Sequence, residues 1–314
     1  MNNIYMNEFE LIQGYFNWSI KDPSIALGIG DDAALFSLKD GQQLVTTTDT
    51  LSEGVHFFKD ALPSDIAYKS LAVNLSDIAS MGASAKYFTL ALTLPKIDHD
   101  WLEEFSKSLR HLSDYHMVSL IGGDTTKGPL NITITMMGVV ETSRALLRSG
   151  AGIGDGVYVS GTIGDAALCL KKLRDGLVPS KEELLKLNRP TPRLELGMGL
   201  KGVASSCIDI SDGLEQDLSH ILMASNVGAV IDVKKLPLSE SVLGYIKNNE
   251  DWSIPLCGGD DYELCFTVPE SNKKALKALS QSCNMDITKI GHIDDSRILK
   301  IDGYDGTRSS YQHF

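Results

Sequence analysis

The chain has 314 residues, 43% of them hydrophobic and 22% charged, enough for two hydrophobic cores rather than one. A net charge of −12 argues against nucleic acid as a partner, since the phosphate backbone needs a Lys/Arg surface. No apolar run reaches the roughly 18 residues that span a bilayer, so no membrane partner is expected either.

Met1 to Phe16 is mixed and acidic, with neither a basic start nor an apolar core. It does not read as a signal peptide, and a cytoplasmic location is expected; whether Met1 or Met6 is the natural start stays open. Strands are predicted at Leu44 to Thr48, Tyr87 to Leu94, Val118 to Ile121 and Ile132 to Val140. Between them, residues 64–81 and 99–116 carry helical spacing, the first after Pro63-Ser64-Asp65, a reasonable helix start. The first of these helices is apolar on most sides and should be buried. The glycine-rich stretch Ser149 to Gly156 predicts a boundary, giving domains 1–148 and 149–314. Beyond it, Val157 to Gly161 reads as a strand, Gly161 to Gly164 as a turn, Asp165 to Leu173 as a helix, and Leu184 to Pro192 as a connector. Five cysteines without a C-x-x-C pair predict reduced, mostly buried thiols rather than a disulfide framework or a zinc ribbon.

Aspartates recur after the predicted strands: Asp31-Asp32, Asp49, Asp124, Asp209 with Asp212, and Asp260-Asp261. One such residue alone is a turn former or a cap. Repeated at so many strand ends, the pattern predicts convergence, where like charges raise one another's pKa unless divalent cations sit between them. Asp77 stands inside the apolar helix, and a charge there needs a partner or a metal. Oxygen ligands without a His/Cys cluster favour Mg²⁺. Glycines flank the acids (Gly28, Gly30, Gly122, Gly123, Gly213, Gly258, Gly259) and would let backbone N–H groups approach an anion. No Walker A loop, Rossmann fingerprint or protein-kinase motif is present. Acid and glycine without a lysine loop suggest phosphates held by metal and backbone.

Together these segments resemble the thiamine-monophosphate kinase family, of the superfamily that includes aminoimidazole ribonucleotide synthetase and selenophosphate synthetase. The resemblance rests on Gly28 to Ala33, Thr47 to Thr50 with Gly54 to Phe57, Leu71 to Ala83, Leu120 to Thr126, Arg148 to Ala151, Ile208 to Gly213 and Gly258 to Leu264. It runs from about Glu8 to Phe314 in matching order and spacing. The resemblance implies an N-terminal α+β domain whose strands form a β-barrel across a homodimer, and a C-terminal α/β domain. It implies ATP-dependent phosphorylation of thiamine monophosphate by direct in-line transfer with several Mg²⁺ ions. Asp32, Thr47, Thr48, Asp49, Asp77, Asp124, Asp209 and Asp212 would ligate the metal. Gly123, Asp124, Arg148 and Ser211 would contact ATP, and His56, Asp260 and Tyr311 the thiamine phosphate. Asp49, Asp77, Asp124, Arg148 and Asp212 would carry the chemistry. One position departs from the family pattern: Asp260 stands where the family has Glu, one methylene shorter. Two rival readings remain at this stage. One is a superfamily relative with another acceptor, an amidine-forming ligase or a selenophosphate synthetase, although no Cys precedes Cys169 as the latter would want. The other is a non-catalytic acidic regulator that binds metal or nucleotide.

Overall fold

The structure, a computed structural model, describes residues 7–30 and 33–304. Asp32 and Tyr311, both expected in the site, lie outside the described residues. The chain divides into two compact units, Met1–Ile78 with Ser84–Thr142, and Ala79–Ala83 with Ser143–Phe314. Among the described residues no helix is long and apolar enough to cross a membrane.

The first unit opens with a helix α1 (Glu8–Leu11) and a small pair of strands, β1 (Ile25–Leu27) and β2 (Leu35–Phe36). Its body is a four-stranded sheet of β3 (Gln42–Ser52), β4 (Ser84–Leu94), β5 (Ser119–Lys127) and β6 (Asn131–Glu141), in the order β3-β6-β4-β5. The sheet is open, with β3 and β5 as its edges. Besides α1, this unit carries two longer helices, α2 (Pro63–Ser80) and α3 (His99–Tyr115). Helix α2 is covered nearly all round: Ile66, Ala67, Leu71, Ala72, Val73, Leu75 and Ile78 are buried, and with them the polar Lys69, Ser70, Asn74 and Ser76. The strands alternate as half-buried strands do: Ile132, Ile134 and Met136 are buried, while Thr133 and Thr135 pair their hydroxyls with Thr50 and Thr48.

The second unit carries β7 (Gly156–Ser160), β8 (Ser206–Asp209), β9 (Gly228–Asp232), β10 (Leu264–Val268), β11 (Ile287–Asp294) and β12 (Leu299–Asp302), in the order β12-β9-β11-β7-β10-β8. Only the β12–β9 pair is parallel. The layering is therefore α+β, with an antiparallel sheet, rather than a parallel strand–helix–strand winding. Helix α4 (Asp165–Arg174) follows β7 as expected. The predicted connector at 184–192 is half helix: α5 (Lys181–Asn188) runs through it. Ser180 and Glu183 form a capping box at its start, and a favourable N-terminus of this kind offsets the nearby prolines. Helices α6 (Leu194–Leu200), α7 (Leu214–Ser225), α8 (Glu240–Asn249), α9 (Ser253–Cys257) and α10 (Lys273–Ser282) complete the unit. Cys169, Cys207, Cys257 and Cys265 are buried and Cys283 is half-buried; all five are free thiols.

A buried ion pair fixes the approach to β10. Arg193 donates from Nε to Glu263 Oε2 at 2.8 Å and from its terminal nitrogen to Oε1. Ser160 Oγ donates to the same carboxylate at 2.5 Å and accepts the Leu264 N–H at 2.9 Å. The Glu263 side chain is 4% exposed and that of Arg193 15%, so removing the cation strands a desolvated charge. Arg193→Ala should cost about 3–5 kcal/mol of unfolding free energy, read from urea denaturation. The double replacement Arg193→Met with Glu263→Leu should cost much less, because no buried charge is left behind.

Candidate active site

In the first unit, the period of two in β3 sends Thr47 and Asp49 to one face and Thr48 and Thr50 to the other. Thr47 Oγ1 donates to Asp77 Oδ2 on α2 at 2.5 Å. Burial, and then the Asp77 carboxylate, push Asp49 up to about 7. Two carboxylates and a hydroxyl thus meet where strand faces helix, an oxygen-only donor set that suits Mg²⁺. Thr48 does not join them; its hydroxyl meets Thr135 Oγ1 at 2.9 Å on the other face. Among the described residues no three His, Cys, Asp or Glu side chains are grouped closely enough to hold one metal ion. Asp49 and Asp124 lie within β3 and β5, not at the strand ends where the sequence pattern puts them.

Asp124 and Gly123 line a cavity of about 600 Å³ with Gly28, Gly30 and Gly122, walled by Phe9, Ile12 and Phe16. Polar backbone on one side and apolar rings on another suit a nucleotide. A larger cavity of about 820 Å³, lined by Lys21, Asp22, Lys39, Lys86 and Arg110 among others, holds none of the predicted residues. Gly123 has φ +155°, and a Cβ there would fall 1.9 Å from Leu90 O. Its lack of a side chain lets β5 run close to β4, beside a bulge in their register. His56 follows β3; its Nδ1 accepts the Ser52 N–H at 3.0 Å, so in the neutral ring Nε2 carries the proton.

In the second unit, two segments run together. Asp209 closes β8 and is buried. Beyond it, Ile210 N–H donates to Glu263 O at 2.7 Å, Tyr262 N–H to Ile210 O at 2.8 Å and Asp260 N–H to Ser211 O at 2.9 Å. Asp209, Ser211, Asp212 and Asp260 are thereby carried on adjoining backbone. Gln216 Nε2 donates to Asp212 at 3.0 Å, and the Tyr262 hydroxyl to Asp260 at 3.2 Å. Arg148 is exposed on the segment entering this unit, its carbonyl accepting from Ser225 Oγ at 3.2 Å. The glycines here serve packing: a Cβ on Gly213 would meet the Cys257 backbone at 2.7 Å, and one on Gly259 the Ser211 carbonyl at 2.3 Å. The Gly213 N–H is already taken by Asp217, so the anion approach expected of that glycine is not what it provides.

Sequence reasoning passed over Asp217, Glu263, Arg193 and Tyr262, and took Asp261 only as the second acid of the Asp260-Asp261 pair. Asp261 accepts the Gly164 N–H with both oxygens, at 3.0 and 2.8 Å, while burial pushes it well above the usual carboxylate range. Asp217, in the first turn of α7 behind a glycine, had a legible signal as an acid at a helix start. Arg193, Glu263 and Asp261 had none, because their partners are 70 to 103 residues away.

The chain matches the family model described as AIR synthase related protein, N-terminal domain, over residues 30–140, and its C-terminal domain over residues 152–303. It is 47% identical over 295 residues to the thiamine-monophosphate kinase of Haemophilus influenzae, covering 92% of this chain and 90% of that one. To the Bacillus subtilis thiamine-monophosphate kinase it is 35% identical over 307 residues, 94% of each. Among solved structures, the thiamine-monophosphate kinase of Stenotrophomonas maltophilia superposes with a TM-score of 0.89 at 43% identity, covering 95% of this chain and 97% of that one. AaThiL complexed with AMPPCP and TMP superposes with a TM-score of 0.79 at 29% identity, covering 100% and 99%.

The Asp49 carboxyl yields a stability test. A carboxyl raised in the folded state favours folding below its unfolded pKa, near 4, and that contribution is lost as pH rises through about 7. In chelator, wild-type stability should therefore fall between pH 4 and 8. Asp49→Asn should match it at pH 4 and exceed it at pH 8 by up to about 4 kcal/mol, the ceiling set by a shift of roughly three pKa units. Mg²⁺ should narrow that gap by stabilising the wild type more. Urea melts with and without Mg²⁺ check this; a gap that ignores both pH and Mg²⁺ counts against a cation site at Asp49.

Proposed function

The chain belongs to the thiamine-monophosphate kinase family, and we propose on that premise that it transfers the terminal phosphoryl group of ATP to thiamine monophosphate, giving thiamine diphosphate. The observation that carries the chemistry is the Thr47–Asp49–Asp77 group, where one half-buried carboxylate faces another. These oxygens fit Mg²⁺; Asp124 in the first unit, and separately Asp209 and Asp212 in the second, are read as ligands of the further ions expected. When bound, Mg²⁺ supplies charge neutralisation for the phosphates in phosphoryl transfer.

The remaining work falls to this chain's own groups. The cavity at Gly122 to Asp124 is read as the nucleotide's place, with Ile12 and the buried Phe16 on its apolar side. Arg148 and Ser211 are read as further ATP contacts. His56, whose Nδ1 accepts the Ser52 N–H, and Asp260, which accepts from the Tyr262 hydroxyl, are read as the acceptor side. A carboxylate suits the cationic thiazolium, and the Tyr262 donor steadies an Asp whose reach is shorter than the family Glu. The acceptor phosphate is already a competent nucleophile, so no general base is required of the protein, and alignment is its main task. This reading places the enzyme in the cytoplasm, where free thiols stay reduced.

ADP release should require both Mg²⁺ and thiamine monophosphate. Metal or nucleotide binding without thiamine-dependent ADP release would support a regulator instead. Asp260→Ala should raise the KM for thiamine monophosphate at least tenfold while moving that for ATP less than twofold, and Asp260→Glu should be mild. Equal effects on both KM values would put Asp260 with the metals.

We also read the chain as a homodimer. The first unit's sheet leaves β3 and β5 as edges of 11 and 9 residues, and long open edges call for cover; a barrel closed by two copies supplies it. Sedimentation at micromolar concentration should show a species near twice 34.1 kDa. An active species at the monomer mass overturns this.

A further inference from the structure

Asp217 belongs to none of the segments that define the site, yet its carboxylate organises one of them. It lies in the first turn of α7 and is 2% exposed. Its Oδ2 accepts the N–H groups of Ser211, Asp212 and Gly213 at 3.0, 3.0 and 3.1 Å. Successive backbone N–H groups converging on one point make an anion nest, here filled by the chain's own side chain. The peptide groups of Ser211 are thus used from both ends: its N–H goes to Asp217, and its carbonyl accepts the Asp260 N–H at 2.9 Å.

The segment on the far side of that bond is conformationally demanding. Asp260 and Tyr262 have φ of +70° and +50°, left-handed values that non-glycine residues hold only where the surroundings over-determine them. The bonds from Asp260 N–H to Ser211 and from Tyr262 N–H to Ile210 are part of what imposes them. A shift of the 211–213 turn therefore shifts the Asp260 backbone.

We propose that Asp217 is a positioning residue for both substrates at once, setting the nucleotide-side turn directly and Asp260 through the Ser211 carbonyl. The proposal rests on the reading of Ser211 and Asp212 as nucleotide- and metal-side groups and of Asp260 as an acceptor-side group. It has its own kinetic signature. A group that touches one substrate moves one KM; Asp217 touches neither and moves both.

The test is Asp217→Asn in the full chain. The change keeps the side chain's shape and removes a buried charge, but it replaces one carboxylate oxygen with an amide and weakens the hold on three N–H donors. Expected are KM values for ATP and for thiamine monophosphate each raised fivefold or more, with kcat lowered at least tenfold. Either KM left within twofold of wild type overturns the proposal, including the case where the only change is a lower melting temperature, which is a structural role. Should Asp217→Asn fail to fold, Asp217→Glu, which keeps the charge and displaces the turn by one methylene, is read by the same two KM values. Asp212→Ala is measured beside it. Loss of turnover in Asp212→Ala with normal KM values in the Asp217 variant sinks the positioning role alone. Wild-type turnover in Asp212→Ala removes the site reading and the positioning role with it.

Discussion

A carboxylate taken out of water has to be given a donor or a cation, and much of this molecule is arranged around that requirement. Glu263 is given Arg193 and Ser160. Asp217 is given three backbone N–H groups, and Asp261 the N–H at the head of α4. Asp49 meets another carboxylate. The internally satisfied acids are structural parts of the second unit. In the first unit the Asp77 carboxylate accepts from Thr47 and, with burial, raises its neighbour Asp49.

The satisfied acids also explain how flexible segments come to be held. The segments at 210–213 and 258–263 have little helix or strand of their own, yet three backbone bonds join them and one carboxylate anchors each. Positive φ at Asp260 and Tyr262 is sustained by that network. Phosphoryl transfer depends on alignment more than on covalent help from side chains, so rigidity of this kind bears directly on the chemistry.

Glycine has a different part from the one its position beside acids suggests. At Gly123, Gly213 and Gly259 a side chain would collide with neighbouring backbone at 1.9 to 2.7 Å. These residues allow strand and turn to come together, and only then do the acids beside them reach their places. Gly30, at φ +123°, and Gly122 have open space around them among the described residues, which suits close approach of a ligand.

The sequence by itself determined the buried helix α2, the strands β4, β6 and β7 to within a few residues, and the starts of β3 and β5 though not how far they run, because period, apolar content and local motifs are properties of neighbours along the chain. It also singled out Asp77, since a charge in an apolar helix has to be explained. Tertiary structure alone decided that Thr48 faces away from Asp49 while Thr47 faces Asp77, because the face a strand buries depends on what packs against it. It alone decided the antiparallel order of the second sheet, the Arg193–Glu263 pair, and the capture of the 211–213 turn by Asp217. Those depend on donors and acceptors meeting across the fold, and Arg193 and Glu263 stand 70 residues apart, a separation at which sequence spacing carries no information about contact.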